Sequence, residues 1–443
     1  MNDKCWEEKY YQPEIEKMGR EEIDRLQLQR LKAVAEHCYR NIPFYRQAFD
    51  SVGFKPEMIE SLHDLQKMPF TLKQDMRDAY PFKLFAVDVS NAARIHASSG
   101  TTGSATVVGY TTADLENWGD CFARAIALVG GDGSSIMQVA YGYGLFTGGL
   151  GAHEGGIRIG ATIIPMSSGN TKRQVQMLKD MGSDILACTP SYAMLIADTA
   201  IEMGFDPAND FKVSAAILGA EPCSEGMRQE IERKLGVTVV DIYGLSEVMG
   251  PGVSCECRYQ NGLHVAEDHF IIEIVDPDTL EPVADGEWGE VVFTTLTKEC
   301  SPLIRYRTRD ISRIILGECA CGRTHRRMDR ISGRSDDMLI VRGVNVFPSQ
   351  IQQVIAGFSE VTSYYQIILT SKGPLDQVTL MVETVPEFSF DEVRRIEDLQ
   401  RRIVAELKSN LQISVDVKIV EPKSIERSEG KAKRVIDLRK AGE

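Results

Sequence analysis

The chain has 443 residues, of which 43% are hydrophobic and 26% charged, and carries a formal net charge of −14. That length asks for more than one core, and the mixture is that of an ordinary globular protein. The acidic balance argues against a nucleic-acid or anionic-membrane surface, so anionic substrates must be met by local positive groups.

No run of about 18 apolar residues offers a membrane span. The first residues, MNDKCWEEKYYQPEIEKMG, contain no apolar stretch of the signal-peptide kind. Ten cysteines in such a chain read as reduced thiols of a cytoplasmic protein, with metal ligation open to any that cluster.

Residues 14 to about 80 read as helical. Glu21 to Tyr39 carries Ile23, Leu26, Leu28, Leu31, Val34 and Ala35 at helical spacing, and Pro43 closes the segment. A second short helix covers Lys73 to Tyr80. The stretch Ile95 to Tyr110 is different. Its centre, Ser98-Ser99-Gly100-Thr101-Thr102-Gly103, places hydroxyls and glycines where no core can form. Short strands flank it. Such a loop is either a polar turn or a nest of N–H groups and hydroxyls that cradles phosphate. It lacks the lysine of a Walker loop.

From here strands and helices alternate. Strands are expected at Ser135–Val139, Thr162–Pro165, Ile185–Cys188, Ala215–Leu218 and Val237–Tyr243, and helices at Thr171–Met181, after Pro190 and at Glu225–Leu235. A glycine-rich turn spans Tyr141 to Gly149. The alternation predicts a largely parallel sheet with helices on its faces, and ligands beyond the carboxyl ends of its strands. After Gly250 shorter strands suggest an antiparallel or barrel-like part over 250–330. After Gly333 the order strand, helix, two strands, helix, strand suits a small α+β domain.

The motifs AsnIleProPheTyr at 41–45, SSGTTG, YGYGLFTGGLGAH, YGLSE, RYRTRD, GRSDDMLIVRGVNVFPSQ and RSEGKAKRVID occur in this order. Together they resemble the adenylate-forming acyl-CoA synthetase superfamily, and within it most closely the phenylacetate–CoA ligase family. The resemblance implies an α/β fold with an N-terminal AMP-binding domain over 1–335, whose 1–80 part is a helical lead-in. A mobile C-terminal domain over 336–443 is implied, with Asp336 as the hinge. It implies cytoplasmic activation of an aryl-acetic acid by ATP and Mg²⁺, followed by transfer to coenzyme A; a homodimer fits that family.

On the same resemblance, the Ser98–Gly103 loop holds the β- and γ-phosphates. Relatives often continue it with a lysine, whereas Gly103-Ser104-Ala105-Thr106 has none. Gly219, Ala220, Glu221 and Pro222, with Asp241, Ile242, Tyr243 and Gly244, form the adenine walls, and Tyr243 stacks on the base. Glu247 takes Mg²⁺. Asp310 accepts the ribose hydroxyls, and Arg334 contacts ribose or phosphate. Arg309 stands where relatives often have glycine. Lys431 bridges substrate carboxylate and α-phosphate, with Lys423 and Lys433 as rivals. Tyr141, Tyr143 and Phe146 offer an aromatic wall for the acid, and His153 belongs to the pattern with no assigned role. Two other readings remain open: adenylylation of a different acceptor, such as a deazaflavin, and a nucleotide-binding regulator.

The cysteines give a second signal. Cys255-x-Cys257 and Cys319-x-Cys321 are close pairs, and Asn261-Gly262 between them reads as a hairpin turn. That hairpin puts His264 on the face of Cys257. Cys257, His264, Cys319 and Cys321 then form a zinc-binding set, with Cys255 able to replace His264.

Overall fold

The computed structural model describes residues 8–98, 105–335, 339–341, 344–346, 348–372, 375–388, 393–411, 413–428 and 432–439. The lead-in is helical as the spacing requires. Helix Arg20–Asn41 buries Ile23, Leu31, Val34, Ala35 and Cys38. Pro43 opens the next helix, Pro43–Ser51, because a first-turn proline has no intrahelical N–H to lose. Strands β1 (Arg94–Ala97) and β2 (Val107–Tyr110) pair antiparallel, from Arg94 opposite Tyr110 to Ala97 opposite Val107. In sequence the hydroxyl-rich loop connects these two strands, and its residues 99–104 lie outside the described ones.

The main sheet has nine strands. Strands β3 (Ile136–Val139), β4 (Thr162–Pro165), β5 (Ile185–Cys188), β6 (Ala215–Gly219) and β7 (Thr238–Leu245) are its parallel half. Gly250 is not a break between sheets. Strand β8 (Gly250–Glu256) turns back antiparallel on β7, and β9 (Leu263–Val265) pairs with β8. The reversal needs Gly250 at φ +106°, a conformation without a side-chain penalty only in glycine.

Strands β10 (Phe270–Val275), β11 (Gly289–Thr295) and β12 (Tyr306–Ser312) start a second, antiparallel sheet. Short strands β13 (Ile314–Ile315) and β14 (Arg327–Met328) return to the first, giving the order β13-β14-β9-β8-β7-β6-β5-β3-β4. Strand β15 (Gly333–Arg334) completes the second sheet beside β12. The region after 250 thus serves both sheets.

Two helices cover one face of the parallel half. Helix Thr112–Leu128 begins with a reciprocal cap between Thr111 and Asp114. Helix Gly148–Ile159, GGLGAHEGGIRI, grows out of the stretch that reads as a glycine-rich turn. Its glycines are there for close approach. A Cβ at Gly151 would lie 2.4 Å from Trp118 Cζ2, one at Gly155 2.5 Å from Phe122 Cβ, and one at Gly156 1.9 Å from Ile163 Cδ1. Packing overrides the low helix propensity of glycine here. Gly151→Ala should therefore lower stability by about 1–3 kcal/mol through overpacking, despite the propensity gain. Gly119→Ala, whose Cβ meets nothing closer than 3.4 Å, should be neutral or stabilising. Urea unfolding of both variants reads the contrast, and equal behaviour would remove the close-packing account.

The C-terminal unit has strands β16 (Leu339–Val341), β17 (Val344–Val346), β18 (Val361–Lys372), β19 (Leu375–Thr384), β20 (Asp416–Val420) and β21 (Val435–Asp437). Its main sheet runs β20-β19-β18-β21 and is covered by helices Pro348–Ala356 and Val393–Leu411. Ile351, Ile367, Leu380, Leu399, Ile403 and Leu407 belong to a core of its own. The order strand, helix, two strands, helix, strand is present, with β17 and β21 in addition. Among the described residues no helix is long and apolar enough to cross a membrane.

Candidate active site

The carboxyl ends of β6 and β7, the β1–β2 hairpin and strand β12 meet at one place. At the end of β6, Gly219 must be bare, since a Cβ there would lie 2.2 Å from the carbonyl oxygen of Ile242. Ala220 follows in the left-handed region at φ +73°, a conformation costing about 1–2 kcal/mol in a residue with a side chain. It turns the chain so that Glu221 points inward and is buried. Glu221 Oε1 accepts the N–H of Ser191 at 2.5 Å and also the Ser191 hydroxyl. Glu221 Oε2 accepts the N–H of Ala432, from the C-terminal unit, at 3.0 Å.

Strand β7 carries Asp241, Ile242, Tyr243 and Gly244. The Asp241 carboxyl is pushed up to about 7, first by burial and then by the neighbouring charge of Glu256. Tyr243 stacks on Phe293 with ring centroids 6.1 Å apart and donates its hydroxyl to Asp310 Oδ2 at 2.6 Å. Asp310 Oδ1 lies 3.4 Å from Arg334 Nη1, across the β12–β15 pair. Tyr243, Asp310 and Arg334 are thus one connected group. Arg309 sits at φ +66°, which explains why glycine suits this position.

Glu247 closes the far end. It is buried, with Lys73 Nζ 3.1 Å from its Oε1 and the Thr106 hydroxyl 3.5 Å away. Thr106 in turn bonds Ser98, at the root of the hydroxyl-rich loop. A buried carboxylate beside a hydroxyl, already attracting a cation, is a donor set that fits Mg²⁺. Lys73 brings positive charge to this end of the site. No local pattern marks it, because a lysine opening a helix usually faces water. Lys298 is a second unmarked cation nearby. It is buried over the Tyr110 ring at 3.7 Å, and burial pushes its ammonium down to about 8.

The aromatic residues separate. Tyr141 is only 3% exposed, with its hydroxyl 3.5 Å from the Ile217 carbonyl, so it belongs to the core behind the walls. Tyr143 is partly exposed and its hydroxyl lies 3.3 Å from His153 Nδ1, while Phe146 is 46% exposed. Tyr143 and Phe146 remain available to a ligand. Pro222 follows Glu221 on the β6 loop. Residues Ser99, Gly100, Thr101, Thr102, Gly103, Asp336 and Lys431 lie outside the described residues, although both neighbours of the loop and Ala432 beside Lys431 are placed.

The second cluster lies behind these strands. Cys257, His264, Cys319 and Cys321 are all buried, with donor atoms within 4.8 Å of one another. Cys255 is opposite His264 in the β8–β9 ladder but outside that group, with its sulfur 3.4 Å from the Glu256 carbonyl oxygen.

Residues 33–296 match the family model described as AMP-binding enzyme, and residues 343–439 the one described as AMP-binding enzyme C-terminal domain. Phenylacetate-coenzyme A ligase of Escherichia coli (strain K12) is 51% identical over 431 residues, covering 96% of this chain and 97% of that protein. A crystal structure of 2-hydroxyisobutyryl-CoA ligase in the postadenylation state, in complex with R3-HIB-AMP, is 29% identical. It superposes with a TM-score of 0.90 over 97% of this chain and 92% of that one. The same ligase in its thioester-forming state, with 2-HIB-AMP and CoA, gives 0.71 at the same identity and coverage.

Proposed function

We propose, on the premise that this chain belongs to the AMP-binding enzyme family, that it is a cytoplasmic ATP-dependent ligase joining phenylacetate to coenzyme A. In the first half-reaction a carboxylate oxygen attacks the α-phosphorus of ATP, forming an acyl–adenylate bond as pyrophosphate leaves. In the second, the sulfur of coenzyme A attacks the acyl carbon, losing its proton, and the bond to AMP breaks. The observation that carries the reading is the meeting of β6, β7 and β12 ends at the Tyr243–Asp310–Arg334 group, with Glu247 and Lys73 beyond it.

The roles follow from charge and place. Gly219, Ala220, Glu221 and Pro222, with Asp241 to Gly244, wall the adenine. Asp310 accepts from the ribose, an acceptor-only task for a carboxylate. Arg334 is the neighbouring cation for ribose or phosphate. Thr106 and Ser98 orient the loop that receives the leaving pyrophosphate, and Lys73 offsets its charge. Mg²⁺ held by Glu247 supplies further charge neutralisation on the phosphates when bound. Lys431 stabilises the charge that builds up between carboxylate and α-phosphate. Tyr143 and Phe146 receive the phenyl ring, an apolar body that aromatic surface suits.

Two arrangements of the C-terminal unit are needed, because Lys431 and coenzyme A cannot both occupy the acyl end. The TM-scores of 0.90 and 0.71 come from a single enzyme at equal identity and coverage. Their difference therefore lies in arrangement, which supports a hinge, assigned here to Asp336, and a postadenylation-like state for this chain.

A panel of carboxylic acids with ATP and Mg²⁺, read as pyrophosphate release and then as thioester on adding coenzyme A, tests this. Phenylacetate should lead the panel, with benzoate and indoleacetate slower. Pyrophosphate release with none of the acids would overturn the ligase reading; release without thioester would redirect it to another acceptor.

A further inference from the structure

We propose that Cys257, His264, Cys319 and Cys321 bind one zinc ion tetrahedrally, fastening the edge of the main sheet and the N-terminal segment behind the nucleotide walls. The reaction itself makes no use of such an ion.

The four ligands come from two hairpins. Cys257 follows β8 and His264 lies in β9, joined by a turn that uses Gln260 at φ +51° and Gly262 at φ +82°. Cys319 and Cys321 belong to the connection from β13 to β14, a tight turn closed by Gly322 N–H on the Cys319 carbonyl at 2.9 Å. Zinc bonds of about 2.3 Å to sulfur and 2.0–2.1 Å to nitrogen give tetrahedral edges of about 3.8 Å between sulfurs and about 3.6 Å from sulfur to nitrogen. The sulfurs of Cys257 and Cys319 are 3.6 Å apart, and Cys321 Sγ is 3.3 Å from His264 Nε2. These two pairs are near the size the ion requires, and all four donors lie within 4.8 Å of one another.

The alternatives fit less well. A disulfide would need sulfurs about 2.05 Å apart. His264 turns Nε2 towards the thiols, which makes it the nitrogen a metal would take. Three thiolates and a neutral imidazole around Zn²⁺ leave one net negative charge, and the Arg323 guanidinium faces Cys321 to offset it.

The cluster is tied to what surrounds it. Tyr10 donates its hydroxyl to the Cys321 carbonyl at 2.6 Å, and Arg323 pairs with Glu16 at 2.5 Å. On the other side β8 is the antiparallel partner of β7, with Ser254 opposite Tyr243. One ion therefore holds the N-terminal segment and the strand that backs the adenine wall.

Metal analysis of the full chain purified without added metal should find one zinc per chain. Cys257→Ser and Cys321→Ser should lose it, while Cys255→Ser keeps it. Because the first two variants can fail to fold, the wild-type chain supplies a second measurement. Stripped with a chelator and given Co²⁺, it should take up one ion and develop thiolate-to-cobalt absorption with the visible bands of a tetrahedral site. A wild-type chain holding neither zinc nor cobalt would overturn the proposal, as would zinc retained in Cys321→Ser or lost in Cys255→Ser. Acid activation is measured on the same samples, so a missing metal with intact pyrophosphate release separates this proposal from the proposed function.

Discussion

Lys431→Ala is expected to abolish pyrophosphate release while leaving thioester formation from supplied phenylacetyl-adenylate within a few-fold of wild type. A cation delivered to a phosphoryl transition state is worth about 10³–10⁵ in rate, and that is the loss expected for the first half-reaction. The second half-reaction breaks a bond between acyl carbon and AMP, where the lysine has no role. The neighbouring backbone supports this division. Ala432 donates its N–H to Glu221, within the proposed adenine wall, so the C-terminal unit reaches that wall at the residue next in sequence to Lys431. Lys423 pairs with Glu202, the last residue of helix Pro190–Glu202. Single-turnover assays of both half-reactions decide it. Adenylation surviving in Lys431→Ala would move the role to Lys433.

How far the sequence disclosed this arrangement depends on whether the signal is local. The strands from Ile136 to Leu245 are short apolar runs bounded by turns, so they were legible almost to the residue. Helix Glu225–Leu235 was legible at both ends, because Ser224 caps its start and Gly236 ends it at φ +67°. Helix Gly148–Ile159 was hidden by its own composition. Its glycines are helical only because Trp118, Phe122 and Ile163 press against them, and those neighbours are remote in sequence. The capping pair Thr111 and Asp114 did announce helix Thr112–Leu128, a signal that reading strands alone passes over.

The site shows the same division. Tyr243, Glu247 and Asp310 stand in motifs whose resemblance marks them. The bond between Tyr243 and Asp310 joins positions 67 apart and is fixed by two different sheets, so no spacing could disclose it. Lys73 reaches Glu247 for the same reason. Tyr141 shows the converse, since an aromatic next to ligand-facing glycines reads as lining and proves to be core. The grouping of Cys257, His264, Cys319 and Cys321 was legible because a hairpin turn fixes which residues share a face. The preference for His264 over Cys255 agrees with the donor positions, since Cys255 stands opposite His264 in the ladder yet outside the group.

Asp310→Ala should differ from Lys431→Ala by impairing both half-reactions. The ribose of ATP and that of the acyl-adenylate are the same group, so an acceptor for its hydroxyls acts throughout. Hydrogen bonds to a charged acceptor contribute about 1.5–3 kcal/mol each, which for the two ribose hydroxyls sets the loss in kcat/KM for ATP at about 10²–10⁴-fold. The loss is compounded within the protein. Tyr243 OH, now 2.6 Å from Asp310 Oδ2, is left without that acceptor beside the base, and Arg334 loses a carboxylate 3.4 Å away. Asp310→Asn keeps the shape and one acceptor oxygen but removes the charge, so it should fall between the variant and the wild type. Unfolding curves guard against a trivial loss of fold, since Asp310 is buried. The decisive comparison is thioester formation from supplied phenylacetyl-adenylate. It should be slow in Asp310→Ala and near normal in Lys431→Ala, and equal rates in the two would show that Asp310 does not hold the ribose.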